Sequence, residues 1–137
     1  MIRIKPLNAS NFSKYGKIIC QEKENEIFQV VLSEPAQTGW RIGYLVMGPG
    51  RTDSLEAHPE SYETFEPVSG TAIMLVAEEK TPDKIEAFLL DKPICINKKI
   101  WHGVSVLSEK CEIKIMENFE VESIFHKLEK NLEAGFV

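Results

Sequence analysis

The sequence predicts a mostly β fold, a sandwich or barrel with a short helix near its start and an amphipathic helix at its end. Strand-length segments follow one another from Arg41 to Glu117 with no helical pattern between them, which argues against an alternating βαβ sheet. Turn-forming clusters such as Gly48-Pro49-Gly50 punctuate these segments. The run from Thr71 to Ala77 is apolar at nearly every position, the pattern of a strand covered on both faces.

The 137 residues suit one domain spanning 1–137, long enough to bury a core without disulfide or zinc staples. Apolar residues make up 43% and charged residues 27%, the balance of a globular chain. A net charge of -5 with no basic stripe argues against nucleic acid as a partner. No apolar run approaches the roughly 18 residues of a membrane span, and the opening Met1-Ile2-Arg3-Ile4 has no signal-peptide core, so a cytoplasmic protein is expected. Cys20, Cys95 and Cys111 lack any C-x-x-C spacing and read as buried thiols.

In chain order, Asn8 to Gly16 reads as a short helix with Asn8 or Ser10 as its cap and Gly16 as a left-handed stop. Arg41 to Met47 is rich in β-formers and ends at the glycine-proline turn. Lys84 to Leu90, Pro93 to Ile96, Ile100 to Leu107 and Cys111 to Glu117 are further strands, the last alternating Cys111, Ile113 and Ile115 with Glu112, Lys114 and Met116. Val121, Ile124, Phe125, Leu128 and Leu132 recur at helical spacing and predict the closing helix, with His126 beside its apolar face.

The stretch from Gly50 to Gly70 carries the chemistry. If residues 54 to 58 are extended, Glu56 and His58 share a face, because side chains alternate with a period of two. A turn near Pro59-Glu60-Ser61 then brings Glu63 on the next strand beside them. His102 lies on the face of Val104 and Val106, inside a strand that otherwise reads as core, and needs a partner. Two imidazoles and two carboxylates suit a divalent transition metal such as nickel, manganese, iron or zinc. The alternative is a pair of structural histidines and solvated carboxylates. Arg51, Lys98, Tyr62 and Trp101 flank these positions as candidate binding residues for a small-molecule carboxylate, with core or surface roles as the competing reading.

Gly50, Glu56, His58, Glu63 and Gly70 resemble the first motif of the cupin superfamily, with Glu56 in place of its first histidine. In the second motif Asn97 and Lys99 replace a proline and a glycine, and His102 stands where the last metal-binding histidine would be. A closer resemblance is to the ureidoglycolate lyase family, also called ureidoglycolate hydrolases, through Pro6-Leu7, Phe12, Tyr15-Gly16, Leu55-Glu56-Ala57-His58-Pro59, Phe65, Pro67, Gly70 and Trp101-His102. Gly103 stands where that family has a second histidine, and Glu63 where a glutamine is common.

These resemblances imply a cupin-like double-stranded β-barrel (jelly roll) with Glu56, His58, Glu63 and His102 as metal ligands. They imply metal-assisted carbon–nitrogen elimination that cleaves ureidoglycolate to glyoxylate and urea, as in purine and allantoin breakdown, with Glu56 or Glu63 moving the proton. The alternatives are a cupin metalloenzyme for another hydroxy acid, keto acid or sugar derivative, and a non-catalytic ligand-binding cupin. A homodimer is also expected, and the Thr71–Ala77 run is a candidate contact unless the chain's own barrel covers it.

Overall fold

A computed structural model describes residues 1–50 and 52–136. The chain opens with β1 (Ile2–Lys5), α1 (Ala9–Phe12) and β2 (Gly16–Ile18). The central strands are β3 (Arg41–Met47), β4 (Thr52–Ala57), β5 (Glu63–Ser69), β6 (Ala72–Ala77) and β7 (Glu86–Leu89). They are followed by β8 (Ile94–Ile96), β9 (Trp101–Val106), β10 (Cys111–Glu117), β11 (Ile124–Leu132) and β12 (Ala134–Gly135). Two facing sheets result, one ordered β11-β4-β9-β6-β7-β1-β12 and the other β2-β8-β5-β10-β3. This is the barrel-like, mostly β architecture expected from the strand spacing.

The N-terminal helix is real but shorter than predicted. The Asn8 side chain accepts from the Asn11 backbone N–H, the Asn11 side chain accepts from the Asn8 N–H, and the helix stops after Phe12. Gly16 is not its left-handed stop but the first residue of β2, opposite Ile96. A Cβ at Gly16 would lie 2.1 Å from the Cys95 carbonyl oxygen, so close strand approach requires the glycine. Gly70, after β5, has φ +79° and backs onto the Lys110 carbonyl, so both its conformation and its neighbours exclude a side chain.

The larger apolar core fills the space between the sheets, where Phe12, Phe65, Met74, Val76, Phe88, Ile94 and Ile113 meet. A second core lies on the outer side of the seven-stranded sheet and contains Leu55, Ile73, Leu75, Ala77 and Leu128. All six residues of β6 are buried, because alternate side chains enter these two cores. Both of its faces are thus covered within one chain, and β6 supplies no subunit contact.

The C-terminal helix is corrected to a strand. Ile124 to Lys127 pair antiparallel with β4, and after a register shift Leu132 lies opposite Thr52. Ala134 and Gly135 then pair parallel with Ile2 and Arg3, so this segment borders both ends of the seven-stranded sheet. The helical period of Leu128 and Leu132 loses to non-local pairing, which satisfies the β4 edge while delivering Leu128 to the outer core. His126 shares the covered side, 2.9 Å from Asp83 and with its ring 5.7 Å from that of Trp101.

Residues 20 to 40 hold no strand or helix, and those from 31 to 40 pass over the outer side of the five-stranded sheet. Polar latches secure them: Lys17 Nζ donates to the Val31 carbonyl at 2.6 Å, and Lys98 pairs with Glu34 at 2.9 Å. Cys95 and Cys111 are buried as expected, but Cys20 lies exposed in this passage. Among the described residues, no helix is long and apolar enough to cross a membrane.

The C-terminal cover makes a direct prediction. Leu128→Ala is expected to lower unfolding stability by about 2–4 kcal/mol, whereas Phe125→Ala, at a site 68% exposed, changes it by about 0.5 kcal/mol or less. Urea denaturation of the two variants measures this, and equal effects would contradict the cover.

Candidate metal centre

Strand pairing assembles the site. Glu56 near the end of β4 lies directly opposite His102 near the start of β9. His58 follows β4 immediately, and Glu63 begins β5 after the Pro59-Glu60-Ser61 turn. The structure brings Glu56, His58, Glu63 and His102 together, with one potential ligand atom from each all within 4.8 Å of one another. The two histidines and Glu63 are buried, while Glu56 is half-buried.

The turn from β8 to β9 sets His102 in place. Lys99 adopts φ 70°, a left-handed conformation that glycine takes more readily than other residues. Its N–H donates to the His58 carbonyl at 2.9 Å, so this turn joins the two histidine-bearing segments.

Each imidazole is anchored through Nδ1. His58 Nδ1 lies 3.1 Å from the Glu122 carbonyl oxygen, and His102 Nδ1 lies 3.0 Å from the Ile100 carbonyl oxygen. A carbonyl oxygen can only accept, so Nδ1 is the protonated nitrogen in both rings and Nε2 faces the cluster. This is the usual outer support of a metal-binding histidine.

Both Nε2 atoms approach the same oxygen, Glu63 Oε1, at 2.9 Å from His58 and 2.8 Å from His102. Glu56 Oε1 is farther off, at 3.8 and 3.7 Å from the same two nitrogens. The His102 contact is short but lacks hydrogen-bond alignment, which leaves Nε2 the only buried side-chain polar atom without a hydrogen bond among the described residues. Lone pairs of neutral imidazoles facing a carboxylate repel, so either protons or a cation must occupy the centre. Neighbouring ligands of an octahedral ion at about 2.1 Å lie about 3 Å apart, which matches the spacings to Glu63, while Glu56 stands farther out. The donor set therefore fits a divalent metal held by Glu56, His58, Glu63 and His102.

The electrostatics agree. Burial alone would raise the Glu63 carboxyl, but the adjoining His102 and His58 imidazoles hold it down at about 2. Burial would lower His102, yet Glu56 and Glu63 hold its imidazole up at about 9. His58 is likewise raised, with Glu63 overcoming the cost of burial. The cluster favours positive charge at its centre, carried by protons on the imidazoles or by a bound cation.

One residue absent from the sequence-derived set borders the centre. Glu117, at the end of β10, places Oε1 4.0 Å from His58 Nε2, while Arg41 Nη2 and Nε hold Oε2 at 2.8 and 2.9 Å. Burial and then the Glu63 charge push its carboxyl above the usual value, against the pull of Arg41. The signal was present in the sequence: Cys111, Ile113 and Ile115 alternate on one face, and Glu117 is the next position on it.

The other predicted residues scatter. Lys98 pairs with Glu34 and lies 5.1 Å above the Tyr62 ring. Tyr62 lines a cavity of about 430 Å³ beneath residues 31 to 40, whose wall also includes Trp40, Cys95, Met116 and Glu117. Trp101 does not join the cluster: its side chain packs against the outer core, and Nε1 donates to the Glu79 carbonyl at 2.9 Å. Arg51 lies outside the described residues. A Cβ at Gly103 would meet Leu55 of the outer core at 3.1 Å, so a histidine there would face away from the centre.

No protein-family model matches the sequence, and no curated protein matches it. Solved structures do. A sugar 3,4-ketoisomerase from Thermoanaerobacterium thermosaccharolyticum, in complex with TDP, is 13% identical, with 61% of this chain and 64% of that chain covered and a TM-score of 0.51. A dTDP sugar isomerase from Desulfovibrio desulfuricans is 14% identical, covering 83% of this chain and 82% of that one at a TM-score of 0.51. Bacillus subtilis oxalate decarboxylase is 16% identical, covering 66% of this chain but only 24% of its own, at a TM-score of 0.50. The chain thus spans 64% of that ketoisomerase and about a quarter of the decarboxylase, and at these identities what is shared is the cupin fold.

Metal binding should compete with protons. Because both imidazoles hold their protons more tightly than usual, with His102 up at about 9, affinity for manganese, nickel or zinc should rise with pH toward that value. Calorimetric titration is expected to show about tenfold weaker binding per pH unit for each proton displaced as pH falls from 8 to 7. Affinity independent of pH would contradict the ligand assignment.

Proposed function

We propose that this chain is a metal-dependent cupin enzyme acting on a small hydroxy acid, keto acid or sugar derivative. The observation that carries this reading is the unbonded His102 Nε2, buried beside a second imidazole and two carboxylates. A bound divalent metal would supply Lewis-acid polarisation of a substrate oxygen. The sugar isomerases and the oxalate decarboxylase with the same fold support an oxygen-rich substrate.

The protein's own groups divide the work by their environments. Glu63, with its carboxyl held at about 2, is suited to permanent charge and a poor proton acceptor near neutrality. Glu56 closes the centre from its half-buried side. Glu117 combines a raised carboxyl with an oxygen directed toward the centre, and Arg41 fixes its orientation, so it is the group assigned to carry a substrate proton. This moves the proton-transfer role from Glu56 or Glu63 to Glu117.

A more specific reading is cleavage of ureidoglycolate to glyoxylate and urea, favoured by Glu56-x-His58-Pro59 and Trp101-His102. That substrate carries a carboxylate and a hydroxyl suited to a metal with open positions. Because position 103 faces the outer core, the glycine there removes no group from the centre.

The test is a metal-reconstituted assay against ureidoglycolate, other small hydroxy and keto acids, and keto sugars. Turnover that disappears with chelation and returns with metal is expected. Glu117→Gln should lower kcat by about 10²-fold or more while metal content stays unchanged. His102→Ala should lose the metal itself. Full turnover in metal-free protein would overturn the reading, and ureidoglycolate turnover would select the narrower substrate.

A further inference from the structure

Strand alternation in β5, β8 and β10 sends Phe65, Ile94, Ile96, Ile113 and Ile115 into the main core and leaves Thr64, Cys95 and Met116 on the outer side of the five-stranded sheet. Residues 31 to 40 pass over these three side chains without closing on them, and the cavity of about 430 Å³ lies between. Trp40, in its wall, remains 63% exposed, while Ile27, Phe28 and Val30 of the same passage are exposed rather than filling the space.

The passage from 20 to 40 holds no helix or strand, and such loops longer than roughly 12–15 residues are uncommon in compact domains except as binding loops, lids or linkers. Its fastenings are polar: Lys17 to the Val31 carbonyl, Lys98 to Glu34, and Thr38 Oγ1 to Asn118 Oδ1 at 3.2 Å. Contacts of this kind exchange readily for water, so the strap can part to admit a ligand.

The chemistry of the wall defines that ligand. Trp40, Tyr62 and the Met116 thioether line the cavity, and such groups pack favourably against another aromatic ring. Among the described residues no lysine or arginine lines it, and its two carboxylates are each paired, Glu34 with Lys98 and Glu117 with Arg41. An anion would find no free cation here, and an ammonium no free anion. An apolar cavity of about 150 Å³ holds benzene, so this one has room for a ring and its substituents.

Glu117 ties the cavity to the metal centre. It is the last residue of β10 and lies directly opposite Glu63 at the start of β5. It lines the cavity while its Oε1 stands 4.0 Å from His58 Nε2, so one carboxylate borders both spaces.

We propose that the cavity is the subsite for an uncharged aromatic ring of the substrate, whose hydroxy-acid or keto-acid end reaches the metal centre past Glu117. The inference rests on the metal-enzyme reading above and narrows it to aryl-bearing acids; ureidoglycolate has no ring to place here.

Calorimetric titration of the manganese-loaded protein with phenyllactate and with lactate, which share the hydroxy-acid end and differ by the ring, is the test. Phenyllactate should bind more tightly by about tenfold or more, the gain from burying a phenyl group. Thr64→Phe, which fills the cavity from the strand below, and Trp40→Ala, which removes an aromatic wall, should each erase that preference with metal content and circular dichroism unchanged. Equal affinities for the two acids in wild type, or a preference that survives both variants, would overturn the proposal. Phenylethanol, which has the ring but no acid, probes the cavity apart from the metal: it should bind metal-free wild type but not Thr64→Phe, and no binding would overturn the ring subsite even where lactate binds the loaded protein. Phenylethanol binding without any metal-dependent binding of the acids would instead contradict the metal-enzyme reading, and with it the link past Glu117.

Discussion

Two buried imidazole nitrogens aimed at one carboxylate oxygen form the constraint on which the site depends. His58 and His102 each bind a backbone carbonyl through Nδ1, so neither ring can turn without losing that bond. Their Nε2 atoms consequently converge on Glu63. The arrangement is favourable only when positive charge lies between or upon these groups. A site held this way by the backbone is preorganised for a cation.

The barrel supplies the rigidity that keeps the arrangement intact. β9 carries His102 between β4 and β6, and β6 lies between two apolar cores. The C-terminal segment forms part of the outer core through Leu128 and also supplies the Glu122 carbonyl that orients His58. Sequence far from the metal-binding motif thus both seals the fold and orients a ligand. On the opposite sheet, Arg41 of β3 holds Glu117 of β10, which places a protonatable group beside the centre without adding it to the donor set.

What was readable in the sequence follows from the range of the interactions. Arg41–Met47 and Cys111–Glu117 were recovered with their observed bounds, because alternation and turn residues are local signals. Glu56 and His58 were linked by the same period of two, and a short turn brought Glu63 to them. The closing segment misled because Leu128 and Leu132 fit a helical spacing while the decisive partner, β4, lies far away in sequence. β1 was unseen because its four residues become a strand through parallel pairing with β7 and β12. Gly16 looked like a helix stop, but its purpose depends on the Cys95 backbone. Trp101 looked like a neighbour of the site because it precedes His102, yet strand alternation sends it to the other face.

The central claim is that these four side chains form one metal centre. Crystals soaked with manganese, nickel or zinc and recorded at the metal absorption edge test it most directly. The predicted result is one anomalous peak about 2.0–2.3 Å from both Nε2 atoms and from oxygens of Glu56 and Glu63. The contradicting result is no peak at this position while both imidazoles remain against Glu63 Oε1.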